Sequence, residues 1–315
     1  MTRIAAIFPG QGSQYVGMGQ DLSEKWNEAR DAFSEVDAAL GFELSSLCWN
    51  GPEDTLRLTE HTQPALLTHS IAAWRILEAN GITVEAVAGH SLGEYSAVVA
   101  AGGLGLADAA RTVCQRGQLM QKAVPVGEGA MAAVIGLDDD RIVSICKACT
   151  DELGEPVVAV NFNSPGQVVI AGTSGAVATA SDALKEAGAK RVVALPVSAP
   201  FHSPLMATAR EGLTPTLESL DFKTLSVPLY RNIDAAPKSD AKDIRTGLIK
   251  QVDAPVLWST IINRLRDDGF DTFIEIGAGR VLSGLCRRID RSLTCYQADT
   301  VDSIEKTLSQ LGELS

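Results

Sequence analysis

Short apolar runs alternate with longer amphipathic stretches along most of this chain. The first run, over 3–8, stops abruptly at Pro9-Gly10 and reads as a strand. Helical spacing follows over 22–40 and again over 64–80, where Gly81 supplies a stop. Val84, Ala86, Val87 and Ala88 make a second strand-like run. The Ala- and Val-rich stretch 94–101 suits a helix, and 106–123 carries another helical pattern. Strands alternating with helices predict a mostly parallel central sheet.

Between about 128 and 197 the pattern changes. A strand over 131–136 is followed by a helix over 139–153. Two strands, 157–161 and 167–171, are joined by the turn Ser164-Pro165-Gly166. A helix over 176–187 and a strand over 191–196 complete the order β-α-β-β-α-β, that of a ferredoxin-like unit. The expectation is a discontinuous large α/β domain, 1–127 and 198–315, with a ferredoxin-like small domain, 128–197, inserted into it. A later strand, 272–276, leads through Gly277-Ala278-Gly279 into a helix.

At 315 residues the chain can bury a large core, and 45% hydrophobic with 21% charged residues is ordinary for a soluble globular protein. A net charge of −12 argues against nucleic acid as a partner, because phosphate binding needs a basic face. It leaves room for a small anionic ligand held by a local cation. The apolar stretch 97–107 is too short to span a membrane and contains three glycines. The run 4–8 is too short for a signal-peptide core, so a cytoplasmic location is expected. Six cysteines are too sparse for a disulfide scaffold. Cys146 and Cys149 have metal-ligand spacing, but no second pair exists. With Ile142, Ile145 and Leu153 they fall on one helical face, which predicts core packing and no metal site.

Candidate chemistry centres on Gly89-His90-Ser91-Leu92-Gly93, which sits between a predicted strand and a predicted helix. A serine on so sharp a turn needs small neighbours two residues to either side, and Gly89 and Gly93 supply them. The competing reading is a plain Gly-rich turn. Of four histidines, His61 and His69 bracket a helix start, and His90 projects from the other side of the serine's turn. His202, at the expected junction of the two domains, is the candidate general base. No acid lies close before it, so a neutral group such as a backbone carbonyl is expected to orient the ring in a Ser-His dyad. Arg116, the one charge in the mostly apolar and neutral run Cys114-Gln115-Arg116-Gly117-Gln118-Leu119-Met120, reads equally as an exposed or helix-paired arginine or as a two-point grip on a carboxylate. The turns at 10–12 and 277–279 lack the full dinucleotide-binding pattern and its acidic partner. An N–H at such a turn can equally stabilise an oxyanion.

These residues carry a family resemblance that runs nearly the whole length. The chain resembles the malonyl-CoA:acyl-carrier-protein transacylases in Phe8-Pro9-Gly10-Gln11-Gly12-Ser13-Gln14, Thr62-Gln63-Pro64-Ala65 and Gly89-His90-Ser91-Leu92-Gly93-Glu94. The likeness continues in Gln115-Arg116-Gly117, Asn161-Phe162-Asn163-Ser164-Pro165-Gly166-Gln167, Phe201-His202-Ser203 and Glu275-Ile276-Gly277. The resemblance implies an α/β-hydrolase-like large domain with a mostly parallel sheet and an inserted ferredoxin-like domain. It implies Ser91 as nucleophile, His202 as base, Arg116 as the clamp on the malonyl carboxylate, and the N–H groups of Gln11 and Leu92 as oxyanion hole. It further implies that the Gln251 carbonyl holds the His202 ring. Gln63, Asn161, Asn163 and Phe201 become candidate pocket or pantetheine contacts, with Phe201 expected to disfavour an α-methyl branch. Ala278 departs from the proline often found in the family's Gly-Pro-Gly turn.

The implied reaction is ping-pong transfer from malonyl-CoA, a substrate and not a cofactor, to the pantetheine thiol of acyl carrier protein in fatty acid synthesis. Arg280, Arg287, Arg288 and Arg291, with Lys190 and Arg191, are expected to form a basic rim for an acidic carrier. Three alternatives share some of these features: a polyketide acyltransferase, a thioesterase-type hydrolase, and a non-catalytic nucleotide-binding or regulatory module. Formation of a covalent ester separates the last from the others.

Overall fold

The computed structural model describes residues 3–197 and 199–312. Its strands, in chain order, are β1 (Ile4–Phe8), β2 (Ala86–Gly89), β3 (Gly129–Ile135), β4 (Val157–Ser164) and β5 (Gln167–Thr173). They continue with β6 (Arg191–Ala194), β7 (Leu229–Tyr230), β8 (Pro237–Lys238), β9 (Thr272–Ile276) and β10 (Thr294–Ala298). Two sheets result, with orders β10-β9-β1-β2-β7-β8 and β4-β5-β3-β6.

The six-stranded sheet is parallel except for the β7–β8 pair. Its central strands are short and built from small residues. Ala5, Ala6, Ala86 and Ala88 are wholly buried, as expected for strands covered on both faces. The register sets Phe8 beside Gly89 and Ile7 beside Glu275, so β1, β2 and β9 end at one level. Three turns leave that edge: Pro9-Gly10, the Ser91 turn and Gly277-Ala278-Gly279. Crevices outside the carboxyl ends of such strands are where α/β sheets bind ligands.

The four-stranded sheet is antiparallel throughout, and its strand order is that of the ferredoxin-like fold. Helices Asp139–Leu153 and Ser174–Glu186 cover one face and bury Ile142, Cys146, Cys149 and Leu184 against Val134, Val157 and Ile170. The two cysteines therefore pack in this core, whereas Leu153 is 42% exposed and lies off it. Ser198, at the expected return to the large domain, lies outside the described residues.

Two helical stretches differ from their predicted limits by more than a residue or two. The stretch 22–40 is two helices, Gln20–Lys25 and Asn27–Leu40, because Trp26 is extended (φ −120°, ψ 133°) and packs its ring against the core. The helix expected from 64 is Thr59–Ala79, so Pro64 is its sixth residue, past the first turn, and the bond that an N–H there would make to the Glu60 carbonyl is missing. Among the described residues, no helix is long and apolar enough to cross a membrane.

Candidate active site

β2 runs straight into the turn that carries Ser91, and helix Gly93–Ala100 begins directly after it. The crossing is too tight for side chains. A Cβ on Gly89 would lie 1.9 Å from the Gly93 carbonyl carbon, and one on Gly93 would lie 2.1 Å from the Phe8 carbonyl oxygen. Ser91 itself has φ 51°, in the left-handed region that L-residues avoid. His202 has φ 62°, held in a turn in which the Ser203 hydroxyl donates to the Pro200 carbonyl (2.7 Å). The chain thus holds two strained residues face to face, with Ser91 Oγ 2.7 Å from His202 Nε2.

The other ring nitrogen, Nδ1, donates to the Gln251 carbonyl at 2.9 Å. A carbonyl only accepts, so Nδ1 carries the proton and Nε2 is left to accept from the serine. Gln251 closes helix Ala241–Gln251, where terminal carbonyls lack intrahelical partners. The negative end of that helix also favours positive charge on the ring. Burial, and after it the Arg116 guanidinium, pushes the imidazole down to about 3, so the resting ring is neutral.

Arg116, on helix Leu106–Lys122, is 1% exposed. Its Nη1 donates to Gln63 Oε1 (2.8 Å), and Nη2 donates to Gln251 Oε1 (3.0 Å) and reaches Ser91 Oγ (3.3 Å). The guanidinium lies 5.6 Å from the Tyr95 ring centroid, and its Nε is buried without a partner among the described residues. Among the described residues no carboxylate forms an ion pair with it. A buried cation whose partners are all neutral groups is a site prepared for an anion.

Beneath the serine lies a network that the sequence did not reveal. The Ser91 N–H donates to Asn232 Oδ1 (2.8 Å), and Asn232 Nδ2 donates to the Gly89 carbonyl (2.7 Å). Gln251 Nε2 donates to the Ser91 carbonyl (2.8 Å) and to Glu94 Oε2 (2.9 Å). Glu94 Oε2 also accepts from the Asn232 N–H at 3.0 Å. Glu94 is wholly buried, which pushes its carboxyl up to about 7. Glu94 was visible only as the last letter of a motif, and Asn232 belongs to no motif.

Gln11, Gln63, Asn161, Phe201 and His202 line one cavity with Ser91 and Arg116, closed by Met120, Met131, Val169, Leu195 and Val197. The main-chain N–H groups of Gln11 and Leu92 donate to no protein group among the described residues. Gln63 faces the cavity while tied to Arg116. His90, expected on the far side of the turn, lines the same cavity, and its Nε2 contacts Asn163 Oδ1 at 2.8 Å. That bond joins the serine turn to the small sheet. A second groove shares Gln11, His90 and Asn161 with the first and adds Asn163 and Gln167. Gln167 in turn lines an outer groove with Lys190, Arg191 and Arg288. Arg280, Arg287 and Arg291, expected in the same rim, do not line it.

Fold and site together define an enzyme class, an α/β acyltransferase. Residues 6–302 match the acyl transferase domain family, and the chain belongs to that family. It is 46% identical over 313 residues to the malonyl CoA-acyl carrier protein transacylase of Bacillus subtilis, covering 99% of this chain and 98% of the relative. The corresponding Coxiella burnetii transacylase structure superposes with a TM-score of 0.96 at 40% identity, over 98% of each chain. A malonyl-transacylase solved in complex with its type II polyketide acyl-carrier protein superposes with a TM-score of 0.95 at 43% identity, over 98% of this chain and 100% of that one.

Proposed function

We propose that this chain transfers the malonyl group of malonyl-CoA to the pantetheine thiol of an acyl carrier protein, in fatty acid biosynthesis, through a malonyl ester on Ser91. His202 Nε2 takes the Ser91 hydroxyl proton as Oγ attacks the thioester carbonyl. The oxyanion is received by the N–H groups of Gln11 and Leu92, the latter at the start of a helix. When the C–S bond breaks, the imidazolium proton passes to the CoA sulfur and free CoA leaves. The pantetheine thiol then gives its proton to His202 and attacks the ester, regenerating the serine. The exchange is redox-neutral and needs no cofactor. A cytoplasmic location, with its substrates, belongs to the same reading.

The observation that carries this reading is the buried, unpaired Arg116 beside Ser91 Oγ. A malonyl carboxylate supplies the missing anion, and its arrival offsets the Arg116 charge, which adds to the larger effect of burial in depressing His202. The base therefore strengthens when the correct substrate is bound. Asn161, whose Oδ1 is buried without a partner among the described residues, and Asn163 face the route that the pantetheine arm would take. Phe201 fills the space that an α-methyl group would need. The largely apolar wall around Ser91 keeps water from the ester, which favours transfer over hydrolysis.

The test compares kcat/KM for malonyl-CoA and acetyl-CoA in wild type, Arg116→Ala and Arg116→Lys. Arg116→Ala strands the substrate's charge in a dry site, so malonyl transfer should lose about 3–5 kcal/mol of transition-state stabilisation. Acetyl transfer should lose far less, and lysine should restore only part, lacking the planar fork. A parallel loss for both thioesters refutes the clamp.

A further inference from the structure

We infer that Glu94 is a positioning residue for acyl transfer: one carboxylate oxygen, acting through Gln251 and Asn232, fixes the nucleophile, the base and the clamp in one frame. The inference rests on the reading of Ser91 as nucleophile. It starts from an economy of hydrogen bonds. The two backbone groups of Ser91 are each held by a side-chain amide: its N–H by Asn232 and its carbonyl by Gln251. Both holders are tied to the same atom, Glu94 Oε2, one through its main-chain N–H and the other through Nε2. They also touch each other, with Gln251 Nε2 3.2 Å from Asn232 Oδ1.

Gln251 extends this frame to the rest of the site. Its side-chain carbonyl receives Arg116 Nη2, and its main-chain carbonyl receives His202 Nδ1. A shift of this one residue therefore moves the clamp, the base and the serine backbone together. Glu94 is well placed to prevent such a shift, because it lies on the first turn of the helix that the serine turn opens. Ser91 needs such support. Its φ of 51° is an unfavourable state that persists only when its surroundings over-determine it.

The remaining carboxylate oxygen, Oε1, is buried and has no partner among the described residues. Oε2 alone therefore does the work, and an amide oxygen can take its place. The requirement is an acceptor at that distance from the backbone. Asp is too short to supply it, although it keeps the acid.

The experiment is a rapid-quench measurement of Ser91 acylation, reading burst amplitude and burst rate separately with malonyl-CoA and with acetyl-CoA. Wild type, Glu94→Gln, Glu94→Asp and Asn232→Ala are compared. Glu94→Asp and Asn232→Ala should keep a full amplitude per folded molecule and slow the burst on the order of 10- to 100-fold with both donors, as misplacement by about 1 Å does. Glu94→Gln should stay within about threefold of wild type. A merely structural role would reduce amplitude with the loss of folded protein and leave the rate per active site unchanged. That outcome overturns the inference, as does a wild-type rate in Glu94→Asp or a Glu94→Gln as slow as Glu94→Asp. If Glu94→Asp fails to fold, Asn232→Ala and Glu94→Gln still decide. Absence of any burst in wild type would instead refute Ser91 as nucleophile, a separate failure.

Discussion

Ser91 and His202 meet because each is held in a backbone state that side chains resist, with φ of 51° and 62°. Glycine at 89 and 93 permits the first, since a Cβ at either position would collide with main chain. The environment that orients His202 also sets its titration. Burial lowers its affinity for a proton and Arg116 lowers it further, to about 3. With the neutral ring as the proposed base, activity should be lost only as pH falls toward that value, not through the ordinary histidine range near 6.5. kcat/KM for malonyl-CoA, which reports the free enzyme, should therefore show no imidazole limb between pH 8 and 5. In Arg116→Ala, assayed with acetyl-CoA, the acid limb should move up. A limb centred near 6.5 in both proteins would contradict this account of the base.

Elements with a strong apolar signal were legible in the sequence. β1, β2 and β9 are runs of buried residues ending at Gly or Pro turns, and the small domain's four strands stand between clear helical patterns. β7 and β8 were not legible because two residues cannot display a period. β10 hides for another reason. It is an edge strand, Thr294–Ala298, mostly half-buried or exposed, and its pairing with β9 depends on main-chain bonds. Within the site, Ser91 stood out through its glycines, and His202 through the scarcity of histidines. The surroundings of Arg116 require helices Thr59–Ala79, Leu106–Lys122 and Ala241–Gln251 to converge, which no local spacing reports. Asn232 and the Gln251 carbonyl act on or through backbone atoms. Any residue type has a carbonyl, so the hold on His202 leaves no mark in composition, and Gln251 entered only through the family resemblance.

At the scale of the whole molecule, a chain of net charge −12 presents cations where the two sheets' domains meet. Lys190 and Arg191 from the small domain and Arg288 from the large one line an outer groove that shares Gln167 with the groove next to the Ser91 cavity. An acidic carrier would be steered there. Lys190→Glu with Arg288→Glu should lower kcat/KM for the carrier about tenfold or more at low ionic strength and flatten its salt dependence. Transfer to a small pantetheine thiol without the protein should change little. Unchanged carrier kinetics and salt dependence would remove the rim from the account. The central claim, that one serine carries the acyl group between two thiols, is tested most directly by intact-protein mass spectrometry after incubation with malonyl-CoA and no carrier. Wild type should gain one malonyl group, mapped to Ser91 and lost on adding carrier protein, while Ser91→Ala gains none. A malonyl ester on the Ser91→Ala protein, or a wild type that releases free malonate and never holds the group, would contradict it.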